Sequence, residues 1–195
     1  GPQKKENRLL TLYANYNKLV ESIKSSFDVT AGYDYQYWKS TTPLYSEMNT
    51  LGEIQKTSKA TDERHVLLSY YGRLNYSFDS RYMLTTTIRR DATSRFAKNV
   101  RWGTFPSVAL GWRVTEESFL KNNKVLSNLK VRASYGVTGQ QDGIGNYNYL
   151  PIYTISQNGA ESIMGNDYIY TYRPKSYVSD LKWETTTSWN AGFDF

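Results

Sequence analysis

The chain has 195 residues, no cysteine, a net charge of +6 and 18 tyrosines, far more than any other aromatic type. Without cysteine there is no disulfide framework and no thiolate metal site. Lys and Arg are interleaved with Asp and Glu rather than massed, which argues against nucleic acid as a partner. No stretch approaches ~18 consecutive apolar residues, so none reads as a spanning helix or a signal peptide. A spanning β-strand escapes that test, because it needs only about 9–11 alternating residues. The tyrosine excess points to surfaces where a ring is apolar at one end and wet at the other, such as a membrane interface or a sugar-binding face.

In chain order, Gly1-Pro2 reads as the remnant of a cleaved tag. Residues 8–20 form a first strand with Leu10, Leu12, Ala14 and Tyr16 on one face, and residues 21–25 turn. Residues 26–38 alternate cleanly, Phe27, Val29, Ala31, Tyr33, Tyr35 and Tyr37 against Asp28, Thr30, Asp34 and Gln36. Residues 39–63 are polar and read as a long loop with a helical turn near Glu47–Gln55.

Residues 66–138 carry four more two-faced strands. Their apolar face holds Tyr70, Leu74, Tyr76, Phe78, Tyr82, Leu84, Ile88, Val108, Leu110, Trp112, Val114, Leu129, Val131, Tyr135 and Val137. Their polar face holds Arg73, Asn75, Thr85, Arg89, Arg113, Lys130, Arg132 and Ser134. Asp79-Ser80 is a two-residue hairpin turn. Residues 91–102 are a loop, Pro106 belongs near its strand's start or at a bulge, and 116–127 form a short helical turn opened by Glu116-Glu117. Residues 139–182 are the longest irregular stretch, with a small hairpin between 147–156 and 168–173. A last strand, 183–195, alternates Trp183, Trp189, Ala191 and Phe193 against Glu184, Ser188, Asn190 and Asp194.

The predicted fold class is all-β, an antiparallel up-and-down meander of about seven strands. Its connections sort by length. The shorter ones, 21–25, 79–80 and 116–127, fall at one end, and the long loops 39–63, 91–102 and 139–182 at the other. Outer-membrane barrels sort their connections this way, with short periplasmic turns and longer extracellular loops. Asp34, Arg73 and Arg132 sit mid-strand on the polar face, where a water-filled lumen accepts charge more readily than a dry core. The competing reading is a soluble β-sandwich whose Tyr/Trp face binds carbohydrate. It explains the alternation but not the sorted loops.

No enzymatic constellation stands out. The single histidine, His65, has no nucleophile motif near it, and Asp28 and Asp34 lie roughly 20 Å apart along a strand, too far for a glycosidase pair. In 140–146, Asp142 and Asn146 stand among glycines but lack the spaced carboxylates of a calcium loop. Neither a metal nor a cofactor is expected. The candidate ligand or partner contacts are Tyr147, Tyr149, Tyr153, Tyr170 and Tyr172, with Arg95 in the RRDATSRF segment. Against a contact role, the more ordinary arrangement is that the tyrosines pack the long loop onto itself.

Several blocks, RLNYSFDSRYMLTTTIRRDATSRF, WGTFPSVALGWRVTEESFL, LSNLKVRASYGVTGQQDGIGNY, YRP and DLKWETTTSWNAGFDF, resemble consecutive blocks of the SusC/RagA family of TonB-dependent outer-membrane transporters of Bacteroidetes. The likeness is strong over 66–195 and extends to the first 65 residues by pattern. It implies that residues 3–195 are part of a transmembrane β-barrel of about 22 strands, incomplete here, in the outer membrane of a Gram-negative cell. It implies import of glycan or peptide fragments, a SusD-like lipoprotein partner, and energy from TonB acting through a plug domain. Neither a plug nor a TonB-box segment is found in these residues, so the chain reads as a fragment. Its free strand edges and apolar face are expected to promote self-association.

Overall fold

A computed structural model describes residues 3–120, 128–155, 161–165 and 167–195. Gly1-Pro2 and part of the predicted helical turn 116–127 lie outside the described residues. Within them the chain runs β1 (Lys4–Val20), β2 (Ser25–Thr42), β3 (Tyr45–Met48), β4 (Ile54–Ser58), β5 (Thr61–Phe78), β6 (Tyr82–Thr93), β7 (Trp102–Arg113), β8 (Lys130–Gln140), β9 (Tyr153–Ile155), β10 (Glu161–Met164), β11 (Asp167–Tyr170), β12 (Tyr172–Pro174) and β13 (Glu184–Asp194). Seven of these form one antiparallel sheet in the order β1-β2-β5-β6-β7-β8-β13. The remaining six make the two-stranded ladders β3-β4, β10-β11 and β9-β12 inside the long connections. No second sheet packs on the first among the described residues, so the sandwich reading has no counterpart. No described helix is long and apolar enough to cross a membrane.

Residues opposite one another in a ladder share a face, so the register carries the alternation around the sheet. One row reads Tyr16, Val29, Leu74, Thr86, Val108, Tyr135 and Trp189 across all seven strands. The adjacent row, one residue along, reads Asn17, Asp28, Asn75, Thr85, Ala109, Ser134 and Asn190. Every member of this second row lines a single hollow of about 600 Å³ that spans from β1 to β13. On the polar face Arg89 of β6 comes within 3.8 Å of Asp34 on β2, across the intervening β5, so the polar face is concave and the apolar face convex. The convex side chains lie open: Leu110 is 57% exposed and Trp189 77%. Exposed apolar area on that scale marks a surface that another apolar phase covers.

The sheet interior is thus not the core. Among the described residues the buried apolar side chains are Ala92, Phe96, Phe105 and Val114, and the first three gather at the long-loop end. There the Trp183 ring meets Phe96 edge-on at 5.6 Å and Phe105 at 5.3 Å, while its Nε1 donates to the Arg101 carbonyl at 2.9 Å. The packing fits how β7 is paired. Residues Trp102–Pro106 pair with β6 alone, because the β8 ladder begins at Ser107↔Gly136. Pro106 sits at that limit, where its missing N–H removes a rung of the ladder. Phe105 fills the gap opened beside it: a Cβ on Gly139 would lie 2.0 Å from the ring and one on Gly103 2.4 Å.

The short-turn end is closed differently. Asp79 and Ser80 have φ of 50° and 54°, the pair of positive angles of a type I′ turn, and Arg81 N–H donates to the Phe78 carbonyl. Neighbouring connections then bond to each other. Asp79 N–H donates to the Lys24 carbonyl at 2.7 Å, Arg113 N–H to that of Arg81 at 2.8 Å, and Val114 N–H to that of Leu129 at 2.8 Å.

Several expectations are corrected. Strands β2 and β5 run to Thr42 and from Thr61, and the predicted helical turn at 47–55 is the β3-β4 hairpin, bulged at Glu47/Met48. The loop predicted at 91–102 begins after Thr93. Val114 leaves β7 for a 3-10 turn, Val114–Glu116, where its side chain is buried, and Leu129 precedes β8 rather than joining it. Trp183 precedes β13, and its ring sits in the long-loop core instead of on the convex face.

Candidate functional site

Two features could contact a ligand or partner: the concave wall and the long-loop end. The wall's charged groups are partnered. Arg89 donates to Asp91 at 2.9 Å and to Ser69 Oγ at 2.8 Å, and lies 3.8 Å from Asp34. Arg132 pairs with Asp194 at 2.8 Å, and Arg73 reaches Thr87 Oγ1 at 3.4 Å. So the mid-strand charges are held by cross-strand neighbours as well as being wetted, which keeps them ordered against the wall. Asn15 Nδ2 similarly donates to Asp28 at 2.6 Å and Thr30 at 2.8 Å. The Tyr71 ring lies flat across Gly32, where a Cβ would come within 2.2 Å of it, and Arg89 covers the ring at 5.8 Å. Gly32 is what allows that ring to lie along the wall rather than project into the hollow.

At the long-loop end, the predicted contact residues divide into two sets. Arg95 and Tyr147 are engaged internally. Arg95 Nε donates to Asn146 Oδ1 at 3.2 Å and its Nη1 to the Gln141 carbonyl at 3.2 Å. Asn146 Nδ2 donates to Glu63 Oε2 at 3.3 Å, and the Tyr147 hydroxyl accepts from Arg64 N–H at 3.1 Å. Together these bonds staple residues 141–147 onto β5. Tyr149 is half-buried. Tyr153, Tyr170 and Tyr172 stand exposed on the small ladders, at 64%, 56% and 66%. The structure therefore separates a stapling set from a free set that sequence reading had pooled.

His65 stacks on Trp38 at 4.3 Å, nearly parallel. Burial, and secondarily the nearby Arg95 cation, hold its imidazole below the usual histidine range. Beyond it, the Arg64 guanidinium holds Asp62 down at about 2. Among the described residues no group of three His, Asp or Glu side chains could hold a metal ion.

Sequence reading missed one site at the short-turn end. Glu117 accepts from the Tyr82 hydroxyl, from Trp112 Nε1 at 3.1 Å and from Arg81 Nη1 at 3.0 Å, and Arg81 also pairs with Asp79 at 2.6 Å. The Tyr82 hydrogen bond, then that of Trp112, keeps the Glu117 carboxyl below the ordinary carboxylate range. Glu117 was read as a helix-start acid. Its partners lie on β6, on β7 and in the turn just before β6, a relation that local spacing does not encode.

The connections sort by length only in part: 114–129 at the short-turn end is longer than 94–101 at the other, while the longest, 141–183, lies opposite the Asp79-Ser80 turn. An antiparallel sheet with a polar concave side and an open apolar convex side is a segment of a transmembrane β-barrel wall. Comparison with known proteins gives the same class. Residues 3–195 match the family model described as TonB dependent receptor-like, beta-barrel. The chain is 44% identical over 196 residues to TonB-dependent receptor SusC of Bacteroides thetaiotaomicron, covering 93% of this chain and 19% of that protein. It is 33% identical over 199 residues to TonB-dependent receptor P39 of Formosa agariphila, covering 93% of this chain and 18% of that one. In fold it matches the structure of the RagAB peptide transporter, with TM-score 0.76 at 22% identity over 98% of this chain and 22% of the other. The open-open state of the RagAB peptide importer gives TM-score 0.78 at 23% identity.

The chain belongs to the TonB-dependent receptor β-barrel family, in its SusC/RagA branch. It spans about a fifth of the length of these relatives. The sheet is accordingly open, with β1 and β13 each paired on one side only.

Proposed function

We propose that this chain is part of the barrel wall of an outer-membrane transporter that imports glycan or peptide fragments together with a SusD-like surface lipoprotein, driven by TonB. The observation that carries the proposal is the register. Seven consecutive strands turn their polar residues to one concave side and their apolar residues to the other. The first is suited to a wet lumen and the second to lipid. The relatives support the finer reading: SusC is a TonB-dependent receptor, and RagAB is described as a peptide transporter.

In this orientation the Asp79-Ser80 turn is periplasmic and the long-loop end extracellular. Tyr153, Tyr170 and Tyr172, exposed and apolar-faced with polar tips, suit contact with the lipoprotein or with arriving substrate. Tyr147 and Arg95 act indirectly, by fixing the loop that carries the others. In the receptor, β1 and β13 are where the wall continues. In the 195-residue chain alone, the same edges can pair with a second copy.

The test is genetic. Deletion of the full-length gene should abolish growth on one class of glycan or on peptides, and restoring the gene should restore it. A triple Tyr153→Ala, Tyr170→Ala, Tyr172→Ala receptor should reach the membrane yet grow slowly on that nutrient. Unchanged growth of the deletion strain on every such nutrient would overturn the transport reading.

A further inference from the structure

The convex face is not uniform along its length. Phe27 and Tyr76 mark the aromatic band at the short-turn end, 4.9 Å apart, with Phe78 and Tyr82 at 6.2 Å. Tyr33, Tyr70 and Trp102 mark the band at the long-loop end, with Tyr70 5.2 Å from Tyr33 and 6.1 Å from Trp102. Charge differs between them: at the first band Arg81 and Lys24 are neutralised by Asp79 and Glu117, whereas cations are in excess at the second. At the level of the second band and above it, the same outward rows carry Lys4, Arg8, Lys39, Arg64 and Arg90, against the carboxylates Glu6 and Asp62. At the first band, the outward rows of β1, β2, β5, β6 and β7 carry only Lys18.

These cations are braced by their surroundings. Arg90 lies 5.1 Å over the Trp102 ring and Arg8 5.8 Å over Tyr37. Asp62 draws Arg64 to 2.7 Å and Lys39 to 3.4 Å, setting two cations side by side on adjacent strands. Arg90 is exposed and has no ion pair among the described residues. A guanidinium placed over a ring and without an ion pair has N–H donors left for another acceptor, and they match the oxygens of a phosphate.

We propose that this basic, aromatic-braced rim on the lipid-facing side binds the phosphate-bearing head group of a lipid in the outer leaflet. The inference rests on the outer-membrane reading above, since only there does the convex face meet lipid. Charge complementarity sets the head group's chemistry, because cations outnumber carboxylates at this level. The excess of cations at the long-loop band, against the neutralised Arg81 and Lys24 at the other, sets the leaflet. The exposed aliphatic side chains between the bands, Ile88 and Val108, would meet its acyl chains.

The experiment uses the full-length receptor purified from outer membranes. Native mass spectrometry would measure binding of purified lipid A, with and without its phosphates, to the wild type and to a Lys39→Gln, Arg64→Gln, Arg90→Gln variant. The wild type should prefer the phosphorylated form on the order of tenfold, and the variant should lose most of that preference. Equal binding of both forms by the wild type overturns the proposal without any variant. So does a variant, recovered in the outer membrane, that keeps the full preference. Displacement of lipid A by inorganic phosphate at equal concentration would show a free-phosphate site and also overturn it. A wild-type receptor absent from the outer-membrane fraction would overturn the outer-membrane reading itself, and this proposal with it.

Discussion

The two ends of the sheet are closed by opposite physics. At the short-turn end, main-chain bonds link one connection to the next, and an ionic knot of Lys24, Asp79, Arg81 and Glu117 ties them to the Tyr82 and Trp112 rings. At the long-loop end, a dry cluster of Phe96, Phe105 and Trp183 does the holding, with Arg95 and Asn146 stapling the longest loop above it. The difference follows from chain geometry. A two-residue turn brings its flanking backbone within bonding distance, so polar groups are satisfied locally. The longest connections at the other end, 43–60 and 141–183, order many residues at an entropic cost that apolar burial has to offset.

That contrast can be broken at either end. The largest effect is expected from Trp183→Ala in the full-length receptor. It removes the ring that joins Phe96 to Phe105 and should cost roughly 3–5 kcal/mol of local stability. Hydrogen exchange should rise across residues 93–105 and 139–147 while the Asp79 turn stays protected. Equal loosening at both ends would mean the ends are not independent. Gly139→Ala comes next. Its new Cβ would sit inside the buried Phe105 ring, at a cost of about 1–3 kcal/mol. A Gly139→Ala, Phe105→Ala pair should recover part of the loss. Gly32→Ala should be milder, because Tyr71 is only half-buried and can swing away.

Glu117→Gln should weaken the other end by a smaller amount. Its exchange signature should be confined to residues 79–82 and 112–117. Raised salt should narrow the gap to wild type, since the contribution is ionic.

Acid should separate the ends most finely. Asp79 is held below the carboxylate range first by its hydrogen bond with Lys24, and Glu117 by Tyr82. A lowered folded value means that their contribution is complete above about pH 4 and is lost as pH falls below it. His65 is held below the histidine range by burial, so its neutral form is the one that fits beside Trp38. That contribution is present above about pH 6.5 and lost on acidification from there. Protection at 62–66, corrected for intrinsic exchange, should therefore fall before protection at 79–82, and His65→Gln should abolish the early step. Simultaneous loss would contradict the assignment.

The seven strands were legible because an apolar convex face and a polar concave face impose a period of two, and Asp79-Ser80 because its turn type restricts sequence. The extensions Lys39–Thr42 and Thr61–Arg64 were not. Strands that run past the aromatic band no longer need an apolar outward face, so their alternation reads as loop. The core of Phe96, Phe105 and Trp183 was hidden for another reason. It joins residues far apart in sequence through a gap that exists only because β8 stops pairing with β7 at Gly136. Of the candidate contacts, sequence supplied the residue types. Only the geometry could divide the stapling Arg95 and Tyr147 from the open Tyr153, Tyr170 and Tyr172.

The central claim is that adjacent rows of one sheet face different solvents. Cysteine substitution in the membrane-embedded full-length receptor measures this directly, as these 195 residues carry no cysteine. Val108→Cys, Leu110→Cys and Trp189→Cys should resist a water-soluble maleimide but take a lipid-soluble one. Thr85→Cys, Ser134→Cys and Asn190→Cys, one row along, should react with the water-soluble reagent from the lumen. Uniform labelling of both rows, or labelling with the opposite parity, would contradict the account.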